Sequence, residues 1–415
     1  MKHWAVQFLG LWLLATGCAP RPSLSRYSLD HVYNPEAGVA LAARRLEGGS
    51  YERIYLRITF RDMAEGTPAP ALAGRYRAGY QIGAGYDAQG LYGQDTLQLE
   101  RLQYLGRRTY ALTFNVTKPP AAAVLMIKLE DRLTRVPYVF DLPLPTAAPG
   151  EPSPRFLVFN RAGSRPLFGA FARPGDTVSL RTLTLTDRPV LLRQYNAEFA
   201  PALPPMAATS AVLSGGDVPR AVARYQLQPN SLLVLSAPGL YVLSEDTAKD
   251  PGQTLLVAPH KYPDLSRASE LIAPLTYMTT RAERSRLLQS KNIKQELDRF
   301  WLGITGNKDY ARKLIAAYYE NVELANAWFT DYREGWKTDR GMVYIIFGKP
   351  SQVLRDGVTE EWRYDERGVT PELRFVFEKR AAPLGPPAWS LRRSPDYDKF
   401  WYAVVDQWRK GIIRR

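Results

Sequence analysis

Two carboxylates, Glu334 and Asp339, stand close together in the segment EGWKTDRGMVYIIFGKP, which runs from residue 334 to residue 350. Paired carboxylates act as general acid and general base in hydrolases, so these two side chains could form such a site. Thr338 lies beside Asp339 and could act as a nucleophile if a base were near. The segment is therefore the first place to look for catalysis.

Groups that would support such chemistry are scarce in this chain. Apart from His3, the only histidines are His31 and His260, and we expect both to be exposed loop residues outside the domain that carries the segment. Cys18 is the single cysteine. A Ser–His–Asp arrangement or a His-rich metal site has too few members. An all-carboxylate metal site stays open, but the sequence has no Asp-rich loop, and we predict neither a metal nor a cofactor.

A structural interpretation uses more of the segment than an active site does. Glycine at 335 would end a helix, and the tryptophan after it would fill the space between helix and sheet. The Thr-Asp pair would accept backbone N–H groups in a turn. The second glycine would lead into a buried strand over 342–347, and the third would end it with the proline. The residues of this predicted joint are Gly335, Trp336, Thr338, Asp339, Arg340, Gly341, Gly348 and Pro350.

The first residues of the chain are typical of an export signal. Lys2 and His3 precede an apolar run, and small residues lead to Cys18. The run is shorter than the ~20 apolar residues that a transmembrane helix needs. The sequence around Cys18 resembles a bacterial lipobox. That resemblance implies cleavage after residue 17 and lipidation of Cys18, for example with palmitate. Ala19 and Pro20 include no aspartate retention signal, so we expect attachment to the outer membrane. A plain secretory signal is the alternative.

The charge of the chain is basic but dispersed. The net charge is +14, and loss of residues 1–17 would remove only Lys2 and leave +13. A basic surface can attract anionic lipid, acidic glycans or an acidic protein. Nucleic acid is not an expected partner of an exported protein. We expect the membrane, through Cys18, and an envelope protein as partners, with a glycan as a further option.

The hydrophobic pattern divides the chain into several domains. After a tether over 18–35, period-two alternation predicts a β-sandwich over 36–145, for example at Ile54, Leu56, Ile58 and Phe60. A proline-rich linker leads to a second β-sandwich over 155–260, and both are expected to be Ig-like. From residue 265 to 415 the pattern predicts an α+β domain of helices and a small antiparallel sheet. Its longest helix is predicted over 309–333.

The α+β region contains a known sequence signature. The stretches FW at 300–301, YYENVELANAWF at 318–329 and GWKTDRGMVYIIFGKP at 335–350 resemble the GWxTD-domain family. The family takes its name from the pattern that begins at Gly335 and ends at Asp339. The resemblance implies an exported protein of the Bacteroidota type, in many cases a lipoprotein, and leaves the biochemical role open.

Two classes of function therefore remain. The first is a non-enzymatic envelope lipoprotein that serves as a docking or scaffold component of an outer-membrane assembly. The second is an envelope hydrolase or glycan-binding protein that uses the carboxylates and aromatic residues of the C-terminal domain. A deep cleft lined by carboxylates would favour the second class, whereas an Asp339 satisfied by contacts within the fold would favour the first.

Overall fold

Three units follow one another in the computed structural model, which describes residues 25, 27–86, 90–144, 155–184, 188–196, 198–208, 219–245, 252–259, 261–365 and 373–412. Two are β-sandwiches, and the third combines helices with a small antiparallel sheet. This is the fold class that the sequence predicts. The predicted signal over 1–17, Cys18, most of the proline-rich linker and His260 lie outside the described residues.

The first sandwich consists of two four-stranded antiparallel sheets. Its elements are β1 (Val39–Gly48), β2 (Tyr51–Phe60), α1 (Ala69–Arg75), β3 (Tyr76–Gly83), β4 (Leu91–Thr96), β5 (Gln103–Gly106), β6 (Thr109–Thr117), β7 (Ala123–Asp131) and β8 (Pro137–Leu144). The sheets have the orders β1-β2-β6-β5 and β4-β3-β7-β8. The alternating residues of β2 point into the shared core, as predicted, because successive side chains of a strand face opposite sides.

The second sandwich packs a five-stranded sheet against a three-stranded one. Its strands are β9 (Leu157–Asn160), β10 (Phe171–Ala172), β11 (Thr177–Arg181), β12 (Val190–Tyr195), β13 (Ala223–Leu227), β14 (Leu232–Val234), β15 (Gly239–Ser244) and β16 (Gln253–Val257). The orders are β10-β16-β15-β12-β13 and β14-β11-β9. Leu180 from one sheet and Leu192 and Leu243 from the other are buried in one core.

The third unit places helices beside a four-stranded sheet. Its elements are α2 (Ala268–Ile272), α3 (Arg281–Gln289), α4 (Ile293–Thr305), α5 (Lys308–Phe329), α6 (Asp339–Phe347), β17 (Gln352–Arg355), β18 (Thr359–Tyr364), β19 (Leu373–Arg380), β20 (Ala388–Leu391) and α7 (Asp398–Arg409). The sheet has the order β17-β18-β19-β20. The longest helix, α5, ends four residues earlier than predicted and buries Leu314, Tyr318, Val322 and Phe329.

The strand predicted over 342–347 is wrong, because these residues form the greater part of helix α6. The Thr338 side chain caps the helix by accepting a hydrogen bond from the Gly341 N–H at 3.0 Å. Helix α6 lies against α5, α7 and β20, and all residues from 342 to 347 are buried. An apolar run enclosed on all sides has no period that separates a strand from a helix.

Part of the predicted tether is packed against the third unit. We call Ser25 and residues 27–33 the N-terminal clasp. Its Leu29 and Tyr33 side chains are buried, and Asp30–Tyr33 form a 3-10 turn. His31 is not an exposed loop residue. Its Nε2 atom lies 2.7 Å from the Val139 carbonyl oxygen in β8, so the clasp also contacts the first sandwich.

Candidate functional site

The sequence motif connects α5 to α6 through a 3-10 turn, Gly335–Lys337. Gly335 does not end helix α5, which stops at Phe329. Its position requires glycine for another reason: a Cβ atom there would lie 2.0 Å from the Ala325 carbonyl oxygen. At Gly341 a Cβ would lie 1.9 Å from the Gly335 carbonyl oxygen. The two glycines therefore let three backbone segments approach closely.

Trp336 holds this turn against the helices. Its side chain is 7 % exposed, and its ring packs edge-on against Tyr277 with 6.3 Å between centroids. The Trp336 N–H donates to Asn326 Oδ1 at 3.0 Å, and its carbonyl oxygen accepts from the Tyr277 hydroxyl at 2.9 Å. Side chain and backbone thus bind the turn to α5 and to the segment before α3.

Asp339 is buried and its carboxylate is engaged on both oxygens. Oδ2 accepts a hydrogen bond from the Leu391 N–H of β20 at 3.0 Å, and Oδ1 pairs with the Arg393 guanidinium. Arg393 also donates to the carbonyl oxygens of Leu203 and Pro204 at 2.6 Å each. Asp339 therefore connects α6 to the C-terminal sheet and, through Arg393, to a loop of the second sandwich.

That loop also meets the motif directly. The Ala202 N–H donates to the Lys337 carbonyl oxygen at 2.9 Å, and the Ser394 N–H donates to the Pro205 carbonyl oxygen at 3.3 Å. Together with the Arg393 contacts, these bonds fix residues 202–205 to the third unit. The motif is thus also part of the junction between the second sandwich and the third unit.

Glu334 and Asp339 line different spaces. Glu334 pairs with Lys337 at 2.8 Å and lines an open cleft of about 560 Å³, together with Trp336. Asp339 lines a cavity of about 20 Å³ beside Trp389. A volume of that size holds about one water. The structure does not bring the two candidate carboxylates into a common substrate site.

The all-carboxylate metal site that the sequence left open has no support in the described part of the chain. No group of three or more His, Cys, Asp or Glu residues within it is arranged to hold a metal ion.

Gly348 adopts a positive φ of 72° after α6, and Pro350 is buried at the approach to β17. Both residues serve the connection, although they follow a helix and not a strand.

Arg340, the remaining motif residue, belongs to a site that the sequence analysis missed. We call Tyr33, Asp141, Arg340, Arg355 and Glu360 the buried charge cluster. The Arg340 guanidinium donates to the Tyr33 hydroxyl at 3.0 Å and lies 3.5 Å from Glu360 Oε1. Its planar group also faces the rings of Phe329 and Trp389.

Arg355 connects the members of this cluster. Its guanidinium donates to Glu360 Oε2 at 2.5 Å, to Asp141 Oδ1 at 2.6 Å and to the Tyr33 hydroxyl at 2.6 Å. Glu360 is fully buried and also accepts from the Trp362 indole N–H at 2.7 Å. Asp141 lies on β8 of the first sandwich, Tyr33 in the clasp and Glu360 on β18, so all three parts meet at Arg355.

The electrostatics favour a charged Glu360 and a neutral Tyr33. Burial alone would raise the pKa of Glu360, but Arg355 and Arg340 outweigh burial and lower it. Burial raises the pKa of Tyr33 to about 12, despite the two arginines. Tyr33 is therefore a protonated hydroxyl that donates to Glu360 while accepting from both guanidinium groups.

A signal for this cluster is present in the sequence. In β18, Glu360 and Trp362 have the same parity, so a strand that buries Trp362 must also bury Glu360. A buried carboxylate needs a cationic partner. Arg355 lies opposite Glu360 on the neighbouring strand β17. Arg340 and Tyr33 reach the carboxylate from separate parts of the chain, so their place in the cluster could not be predicted.

A comparison with protein-family models confirms the family that the motif predicts. The model of the GWxTD domain matches residues 239–410, so this segment of the chain belongs to the GWxTD domain family. The match begins at β15 and thus includes the last strands of the second sandwich. No curated protein matches the chain.

Among solved structures, a marsupial T cell receptor is similar over 55 % of this chain and 76 % of its own. The two share 10 % sequence identity, and the TM-score of 0.17 is too low to support a conclusion about fold. Of the helices described, none has the length and apolar character needed to cross a membrane.

Proposed function

We propose that this protein is a non-enzymatic lipoprotein of the cell envelope, anchored through Cys18, that serves as a docking or scaffold component of an outer-membrane assembly. The observation that carries the proposal is the state of Asp339. Both of its oxygens are bound within the fold, and its cavity has room for about one water. A general acid or base needs a reactant within hydrogen-bond reach, and a cavity of this size has no room for a substrate larger than a water.

The open cleft beside the motif supports a docking role. The cleft of about 560 Å³ lies between the loop around Phe199 and the segment around Asp264, and Glu334, Trp336 and Lys337 form one wall. Its volume falls within the range of ligand-binding clefts. Side chains of the GWxTD domain and the loop around Phe199 in the second sandwich line the cleft together. The contacts between these two units therefore also fix the shape of the cleft.

Five of the tryptophans in the C-terminal domain do not favour the glycan-binding alternative. Trp301, Trp336, Trp362, Trp401 and Trp408 are each at most 7 % exposed, so their faces are not available for stacking on a sugar. They contribute to the hydrophobic core of the GWxTD domain. A hydrolase based on Glu334 and Asp339 would need the two carboxylates in one site, which the fold does not provide.

Photo-crosslinking in intact cells tests the docking proposal. A photoreactive amino acid at Lys337 samples the cleft, and the same group at Leu133, a residue 77 % exposed on the first sandwich, is the control. We expect a discrete crosslinked envelope protein from position 337 and none of that mass from position 133. Identical crosslinking patterns from both positions would contradict docking at the cleft.

Two further measurements separate anchoring and catalysis from docking. Metabolic labelling with an alkyne fatty acid should mark the wild type and not Cys18→Ser, whereas equal labelling would end the lipoprotein proposal. Asp339→Asn should lose function only to the extent that it loses folded protein. A fully folded Asp339→Asn protein that has lost function in cells would instead support an enzyme.

A further inference from the structure

We infer that the turn between β17 and β18 of the GWxTD domain lies against the lipid bilayer that anchors the protein, with Tyr27 and Val358 at the level of the headgroups. This inference rests on the proposed function, because it takes Cys18 as the anchored residue. It places the C-terminal domain beside the membrane, although two sandwiches separate it from Cys18 in the sequence.

The clasp pairs with the outer edge of β17. The N–H groups of Ser25 and Leu29 donate to the carbonyl oxygens of Arg355 and Val353 at 2.6 and 2.8 Å. In return, the N–H groups of Arg355 and Val353 donate to the Oγ atoms of Ser25 and Ser28 at 3.1 and 3.3 Å. The clasp thus satisfies the backbone groups that an edge strand leaves unpaired.

Buried contacts of Leu29 and Tyr33 hold the clasp in place. Leu29 is fully buried in the core of the third unit, and Tyr33 is bound within the buried charge cluster. The Tyr33 carbonyl oxygen also accepts from the Tyr344 hydroxyl at 3.2 Å. Release of the clasp would expose Leu29 and remove the hydrogen bonds of the Tyr33 hydroxyl to Arg340, Arg355 and Glu360, and each of these changes is unfavourable.

The length of the chain between Cys18 and Ser25 limits the distance of the clasp from the bilayer. Ser25 follows Cys18 by seven residues. Seven extended residues span about 25 Å, and the two prolines among them, Pro20 and Pro22, do not lengthen this distance. A free tether that ended at Asn34 would instead reach about 55 Å. An anchor at Cys18 therefore keeps the end of β17 within about 25 Å of the bilayer.

The surface at that end of the domain suits a headgroup environment. Ser25 contacts Arg355, the last residue of β17, and Val358 lies in the turn that follows, with 57 % of its surface exposed. Tyr27, two residues after Ser25, is 54 % exposed and lines an open cleft whose other walls come from β3, β4, β7 and β8 of the first sandwich. Tyrosine is enriched at membrane interfaces, because its ring is apolar and its hydroxyl is polar.

Fluorescence quenching on vesicles tests this geometry. A fluorescent amino acid is placed at Val358 or, as the matched control, at Leu232 on β14 of the second sandwich, which is equally exposed at 57 %. The chain from residue 18 onward is coupled through its Cys18 thiol to a maleimide lipid in phosphatidylcholine vesicles with nitroxide-labelled headgroups. We expect at least threefold stronger quenching at position 358 than at position 232.

Release of the clasp provides the second arm of the experiment. Leu29→Asp places a charge at a buried site of the clasp, whereas Leu24→Asp adds the same charge before the clasp. Quenching at position 358 should fall at least twofold in Leu29→Asp and stay unchanged in Leu24→Asp. Equal quenching at positions 358 and 232, or no change on release of the clasp, would overturn the inference. Chemical coupling makes this result independent of acylation in the cell, which the fatty-acid labelling tests by itself.

Discussion

The Tyr33 hydroxyl donates a hydrogen bond to Glu360 Oε1 at 3.1 Å, across 327 positions of the sequence. The same hydroxyl accepts hydrogen bonds from Arg340 and Arg355. One residue near the start of the chain therefore completes a charge cluster inside the C-terminal domain. The contact makes the N-terminal clasp a structural part of the GWxTD domain.

Tyr33→Phe should destabilise the protein by about 1–3 kcal/mol, because it removes the hydroxyl and leaves buried groups without a partner. The ring is retained, so the packing against Phe329 and Trp362 is preserved. Chemical denaturation of the full chain measures the change. Tyr27→Phe, at an exposed site of the same clasp, is the control and should unfold like the wild type.

Trp336→Ala should cost roughly 3–5 kcal/mol, the usual range for a large aromatic residue replaced in a core. The substitution removes the ring that packs against Tyr277 and leaves a cavity between the turn and the helices. Thermal unfolding of the full chain gives the comparison, with Tyr402→Ala on the exposed face of α7 as control. A Trp336→Ala protein that melts with the wild type would show that the motif does not act as a joint.

Asp339→Asn should cost roughly 3–5 kcal/mol, because it leaves the Arg393 guanidinium without its charged partner in a buried place. The amide oxygen can still accept from the Leu391 N–H, so the loss comes mainly from the ion pair. Adding Arg393→Met removes the second charge and should recover part of the stability. A double variant whose losses are simply additive would mean that the two side chains are not coupled.

The stability of the clasp should depend on pH through His31. Burial lowers the pKa of His31 below 6.5, although its bond to Val139 and the carboxylates of Asp30 and Asp141 oppose the shift and Arg355 adds to it. The unfolded chain therefore binds the proton more readily. The contribution of neutral His31 is complete above pH 6.5 and is lost as the pH falls from 6.5 through the lower folded pKa.

His31→Gln should accordingly flatten the decline in unfolding free energy between pH 7 and pH 5, since position 31 then has no group that titrates in this range. His260→Gln, for which the sequence predicts an exposed site, should keep the wild-type slope. Denaturation at several pH values measures both variants. A slope that is unchanged in His31→Gln would place the pH dependence elsewhere in the molecule.

Local patterns in the sequence predicted much of this fold. The alternation in β2 and the pattern that predicts the helix over 309–333, which corresponds to α5, each specify their own element within a few residues. Glu360 with Trp362 carries the same kind of information about the inner face of β18. In each case residues close in sequence determine the type of element and its buried face, so the local pattern is sufficient to predict both.

The errors concern residues whose structure depends on distant partners. Helix α6 looks like a strand because its six apolar residues are enclosed by α5, α7 and β20, and no exposed face marks a helical period. The clasp looks like a tether because it is polar, yet Ser25 and Ser28 bond to β17 through their hydroxyls. Gly335 looks like a helix end, while its actual constraint is the Ala325 carbonyl oxygen.

The pairing of the clasp with β17 also makes the chain a closed loop. Its first described residues and its last sheet are joined, so both sandwiches lie within the circuit between Leu29 and Val353. Closing a loop of this length costs conformational entropy that only the completed contacts offset. During synthesis the clasp leaves the ribosome long before β17 does. The GWxTD domain is thus completed by residues that are synthesised before it, and a fragment cut at 239–410 lacks the segment that covers its sheet edge.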